Sequence, residues 1–147
     1  MTVTFDIHGL REIEAVLDGL GEPRDLRRLG TAALKRGTKP VVDRAKALAP
    51  KDQGDLASAI KAGNPIRAYR NRTPESVSTF IGIDESVDPR LHIYARAQEE
   101  GLRHTPANPY MRPALEQEAE STINAVKDEL WKGIERRARL LARRAGL

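Results

Sequence analysis

Apolar residues recur along this chain at two different periods. Residues 2–7 alternate, with Val3, Phe5 and Ile7 on one side and Thr2, Thr4 and Asp6 on the other, which predicts a half-buried strand. Leu10, Ile13, Val16, Leu17 and Leu20 then fall at helical spacing, and Gly21-Glu22-Pro23 closes that helix. A second helical stripe runs through Leu26, Leu29, Ala33, Gly37, Val41, Ala45 and Leu48. Pro40 lies inside it, which predicts a kink or break near Gly37-Thr38, with Thr38 as the cap of a restarted helix. Residues 51–56 form a polar turn, and 56–60 a brief helical turn or the lead into a strand. Residues 62–72 read as an irregular strand and then a basic loop. Residues 76–83 alternate clearly and predict a strand, followed by an acidic turn at 84–89. Residues 91–100 read as a short helix or an extended segment, and 101–109 as a loop with two prolines. From about Arg112 to Arg144, Leu115, Ala119, Ile123, Val126, Leu130, Ile134, Ala138 and Leu141 recur every three or four residues, which predicts one long helix.

The order of these elements predicts an α+β fold. A small mixed, mostly antiparallel sheet is packed by a long kinked helix and a long C-terminal helix. The length, 147 residues, fits one domain over 1–147. Zero cysteines exclude disulfide scaffolds, cysteine zinc sites and thiol nucleophiles. Aromatics at 4% argue against base-stacking platforms. Acids near the N-terminus interrupt any signal-peptide pattern, and no apolar run approaches the roughly 20 residues of a membrane helix.

The net charge of +4 resolves into alternating blocks. Residues 1–23 carry −4, 24–51 carry +7, 52–60 carry −2, 61–72 carry +4, 73–131 carry −6 and 132–147 carry +5. The net basicity is thus expected at one helix end. Blocks of this kind complement one another within a fold or between copies of a subunit.

Candidate chemistry is sparse. His8, His92 and His104 belong to no ligand pair, and no catalytic, cofactor-binding or metal set is assigned. Asp84, Glu85 and Asp88 lack calcium-loop spacing and read as an acidic turn, and Glu99-Glu100 reads the same way. Arg67, Arg70 and Arg72, with the arginine-rich C-terminus, are candidate phosphate contacts, which keeps a small basic nucleic-acid-binding protein as the alternative reading. A small hydrolase or nuclease ranks last, since no coherent acid, base or metal set is present.

Two stretches are more specific. One is Ala49-Pro50 closing a helix, followed by Gly54-Asp55-Leu56-Ala57-Ser58-Ala59-Ile60. The other is Glu99-Glu100-Gly101, then Pro109-Tyr110-Met111-Arg112-Pro113-Ala114-Leu115-Glu116. Together they resemble the phage HK-ninety-seven gene-product-ten family of tail-component proteins. That family pairs a Thr-Gly-x-Leu-x-x-Ser-Ile turn with a later Glu-x-Gly segment and a Pro-Phe-x-Arg-Pro-Ala helix start. Here Gln53 stands for the Thr, Ala59 for the Ser and Tyr110 for the Phe, and Glu100 directly precedes Gly101.

The resemblance implies a non-enzymatic virion structural protein at the head–tail junction, in a neck, tail-terminator or tail-completion role. It implies a closed ring of copies, sixfold or twelvefold, between the head connector or stopper and the tail tube. DNA passes through that ring without sequence-specific binding, no cofactor takes part, and assembly occurs in the host cytoplasm. The candidate interface or motif residues are Gly54, Leu56, Ile60, Glu100, Gly101, Pro109, Tyr110, Arg112, Pro113, Arg136, Arg137 and Arg139. Arg67, Arg70 and Arg72 are the candidate channel or loop contacts. Tyr110 is expected to plug the core with Arg112 pointing outward, and the 67–74 and 101–109 loops to order on assembly.

Overall fold

A computed structural model describes residues 23–51, 54–63, 77–84 and 86–144. In chain order the elements are α1 (Pro23–Gly37), α2 (Lys39–Leu48), α3 (Asp55–Ala59), β1 (Ile60–Gly63), β2 (Phe80–Ile83), α4 (Pro89–Glu100) and α5 (Met111–Arg144). The fold is α+β. The strand expected at 2–7, the helix at 10–20, His8, Glu85, and Arg67, Arg70 and Arg72 lie outside the described residues.

α1 begins at a proline, carries Asp25 in its first turn and Lys35 and Arg36 in its last, an order that complements the helix dipole. The break falls at Thr38, where the pattern placed it, and Pro40 enters the first turn of α2. There its missing N–H has no intrahelical acceptor to lose. Backbone bonds still bridge the break, from Thr38 N to Leu34 O at 3.0 Å and from Val42 N to Thr38 O at 3.1 Å. Thr38 does not cap α2 with its side chain. It keeps helical dihedrals, so its hydroxyl reaches back and donates to Lys35 O at 3.1 Å.

The strands pair antiparallel, Ile60 with Ile83, Lys61 with Gly82, Ala62 with Ile81 and Gly63 with Phe80. The strand expected over 76–83 is shorter among the described residues, where β2 spans Phe80–Ile83 and 77–79 lie before it. Thr79 instead donates its hydroxyl to Gly63 O at 2.8 Å. The 91–100 segment resolves to helix. Asp88 caps it by accepting from Arg90 N at 2.9 Å, and Pro89 opens it.

α1 and α2 run antiparallel along α5. Asp25 pairs with Arg137, Leu29 lies on Gly133, Gly37 lies on Val126, and Arg44 donates from Nε to Gln117 Oε1 at 2.6 Å. The pairing yields two cores. The larger joins Val41, Val42, Ala45 and Ala49 of the α2 region to Leu56, Ile60, Ile83, Ala95, Tyr110 and Ala114. The smaller joins Ala33 to Leu130 and Ile134, with Leu29 against them. The molecule is thus a packed head with a two-helix arm. Val126, Leu130 and Ile134 of the expected C-terminal stripe are buried. Ala114 is buried as well, off that stripe, since the first turn of α5 enters the head core, and Thr122 is buried farther along.

Candidate assembly surface

The junction between α4 and α5 is organised by Glu99. Its side chain, in the last turn of α4, is buried against the first turn of α5. Oε2 accepts from Tyr110 N at 2.8 Å and from Met111 N at 2.9 Å, and Oε1 accepts from Arg112 N at 3.0 Å. These amides are donors that a helix start leaves without intrahelical partners. A carboxylate there satisfies them and complements the positive end of the helix dipole.

Sequence reasoning placed the motif acid at Glu100 and read the pair as an acidic turn. The pair ends α4 instead of forming a turn, and the acid that reaches the helix start is Glu99. Glu100 is exposed, and its carboxylate pairs with Arg96 at 2.8 Å, which lowers its pKa. Glu99 makes the structural contact. The signal was the Glu-x-Gly spacing itself, which in Glu99-Glu100-Gly101 selects the first acid.

Gly101 ends α4 with φ at +77°, a conformation that favours glycine. A Cβ there would sit 2.9 Å from Ala107 N and 3.1 Å from Thr105 O. The loop beyond it is fixed within the single chain. Leu102 and Thr105 exchange backbone bonds of 2.9 and 3.1 Å, and Asn108 N donates to Gln98 O at 2.7 Å. These bonds tie the 101–109 loop to itself and to the last turn of α4. Its residues 102–109, Pro109 included, are exposed. Tyr110 plugs the core at 3% exposure, and burial, with the charge of Glu99 beside it, pushes its hydroxyl pKa up to about 12. Arg112 points outward and Pro113 occupies the first turn of α5.

Of the earlier motif, Gly54 precedes α3 with φ at +76°, and Leu56 of α3 and Ile60, the first residue of β1, are both buried in the head. Leu56, Ile60 and Tyr110 thus set the fold, while Glu100, Pro109 and Arg112 present surface. Beside this motif, Asp84 accepts from Lys61 Nζ at 2.6 Å and from Ser86 N at 2.8 Å, contacts that hold its carboxyl well below the usual range. His92 Nε2 lies 2.9 Å from Asp84 O, and His104 is exposed. Among the described residues no group of three or more His, Cys, Asp or Glu is placed to hold a metal, and no helix is long and apolar enough to cross a membrane.

The arm carries the other candidates. Arg137 binds Asp25. Arg136 donates from Nε to Lys132 O at 3.3 Å, and Arg139 lies 4.0 Å from Glu135. Arg36 and Lys132 approach Glu129 at 3.6 and 3.4 Å. Net basicity is not confined to one helix end. α1 lies alongside the C-terminal half of α5, so two basic blocks far apart in sequence stand side by side. Residues 23–39 and 127–144 together hold thirteen bases against four acids, a net +9. The arm also exposes Trp131 at 55% and Leu140 at 50%.

Comparison with known proteins gives one family. The model of a family described as "Bacteriophage HK97-gp10, putative tail-component" matches residues 11–101. No curated protein and no solved structure matched the chain. The matched span covers α1 to α4 and the Glu99-Glu100-Gly101 junction, and the chain belongs to this family.

Proposed function

We propose that this member of the HK97-gp10 family is a non-enzymatic structural part of the virion at the head–tail junction, in a neck, tail-terminator or tail-completion role. One domain over 1–147 forms a closed ring, sixfold or twelvefold, that joins the head connector or stopper to the tail tube around the DNA channel. No cofactor is needed, and assembly takes place in the host cytoplasm. Family membership supports the tail location. The observation that carries the ring is the two-sidedness of the subunit, a basic arm of net +9 on a head whose described residues hold nine acids and eight bases. A ring needs one face of each copy to meet a different face of the next. Deleting the gene from a phage or prophage that encodes the chain tests the location. Accumulation of filled heads and separate tails supports it, and normal yields of joined particles contradict it.

The same arm favours a second reading, a nucleic-acid-binding protein. It predicts duplex binding by the free protein that falls steeply with salt, since each phosphate contact releases counterions. A DNA titration at two salt concentrations separates the two readings, and weak, shallow binding favours the ring.

A further inference from the structure

Two exposed stripes, one at the basic arm and one running along α5 from the head into the arm, share one spacing. On α1, Arg24, Arg28, Ala32 and Lys35 fall at steps of four, four and three residues; Lys39, the first residue of α2 past the break at Thr38, follows four residues on, and all five are exposed. On α5, Glu116, Glu120, Asn124, Lys127 and Trp131 fall at the same steps, and these five are exposed too. At 100° per residue and a 1.5 Å rise, Arg24 to Lys35 lie along one side of α1 for about 16 Å, with Lys39 beyond the break, and the α5 set lies along one side of its helix for about 22 Å. The α1 stripe points away from the Ala33–Leu130 contact. The α5 stripe lies to the side of the buried line of Val126, Leu130 and Ile134. They are therefore different faces of one molecule, as a ring interface requires.

Among the described residues Arg24, Arg28, Lys35, Glu116 and Glu120 make no ion pair within the chain, and Lys39 pairs only with neighbouring Asp43. Arg137, Arg36, Lys132 and Arg139 of the arm pair within the chain, with Asp25, Glu129 and Glu135. Unspent cations on one stripe and unspent carboxylates on the other are complementary.

We propose that the α1 stripe of one copy docks on the α5 stripe of the next, an inference that rests on the ring reading above. With the arms along the ring axis, rotation between neighbours preserves helix direction. The incoming α1 then meets α5 antiparallel, as it does within the chain. That register sets Lys39 beside Glu116, Lys35 beside Glu120, Ala32 beside Asn124, and Arg24 over the Trp131 indole, a cation–π contact. Trp131 is the chain's one tryptophan and is half exposed, and large aromatics of this kind anchor interfaces. One pair, Arg28 with Lys127, is repulsive.

The chain has no cysteine, so Ala32→Cys with Asn124→Cys creates a single reactive pair. Mild oxidation of this full-length variant is expected to give a ladder of covalent multimers reaching the ring number, with neither single variant giving more than background. Lys35→Glu with Lys39→Glu is expected to weaken assembly about tenfold at low salt. Glu116→Lys with Glu120→Lys added should restore it, and Lys127→Glu alone should strengthen it. Rings seen by electron microscopy without the ladder overturn this pairing and leave the ring reading intact. Failure of the wild-type chain to form any multimer, free or in tails, overturns the ring reading and this inference with it. Covalent dimers from Ala32→Cys alone, protection of that cysteine by duplex DNA, or a Trp131 emission already buried in the monomer each overturn the pairing. They would assign the stripe to a homotypic contact, a phosphate backbone or the chain's own residues.

Discussion

Glu99 places its charge at a helix start that is eleven to thirteen residues away in sequence. Glu99→Ala removes an acceptor from three amides at once and is expected to cost about 3 kcal/mol in chemical denaturation. Glu100→Ala, one residue on, should change stability by less than about 0.5 kcal/mol, since that carboxylate is exposed. Equal losses from the two would refute the assignment. Thr122 tests the converse. Its hydroxyl is buried with no partner among the described residues, so Thr122→Val should raise stability by about 1 kcal/mol. The Asp84 pKa is depressed on folding, so its contribution is complete above the unfolded value near 4 and fades as pH falls below it. Asp84→Asn should flatten the acid side of a stability profile, and an unchanged profile would contradict the Lys61 contact. Tyr110 was legible because the Pro-Tyr-Met-Arg-Pro block is local. The Glu99 contact was not, because no pattern within one helix shows which distant amides a side chain will reach.

The elements were legible where one residue decides them. Pro40 fixed the break between α1 and α2, and three-to-four spacing fixed α5. β2 came out shorter than its alternation because alternation marks a half-buried face and not which residues find a ladder partner. The role of Gly37 was invisible for a related reason. Helix propensity alone says that Gly37→Ala should stabilise α1 by about 1 kcal/mol. Packing says the opposite, since a Cβ there would overlap the Val126 side chain and lie 2.6 Å from its backbone nitrogen. Backbone cannot give way as a side chain does, so the packing effect wins. A net loss of about 2 kcal/mol is expected, with the arm opening at the α1–α5 crossing. Melting of Gly37→Ala against wild type decides between them, and a higher melting temperature would show that the crossing is looser than described.

On the scale of the whole molecule, the charge blocks could be counted from the sequence, yet their meaning depended on which blocks touch. Residues 24–51 and 132–147 looked like separate basic runs, and folding lays much of one along the other in an arm of net +9. The cations of such an arm are drawn to carboxylates, such as those of Glu116 and Glu120 on the next copy. Assembly through it should therefore weaken between low salt and about 0.5 M salt, as screening shortens the reach of exposed charges. Sedimentation at the two salts checks this, and salt-indifferent assembly would assign the contact to apolar surface instead. The central claim is that copies of this chain close into a ring, and class averages of the purified protein by electron microscopy test it most directly. The account predicts rings with a central opening and six- or twelvefold rotational symmetry. Open filaments, two-fold dimers or monomers, persisting when head connector and tail tube proteins are supplied, would contradict it.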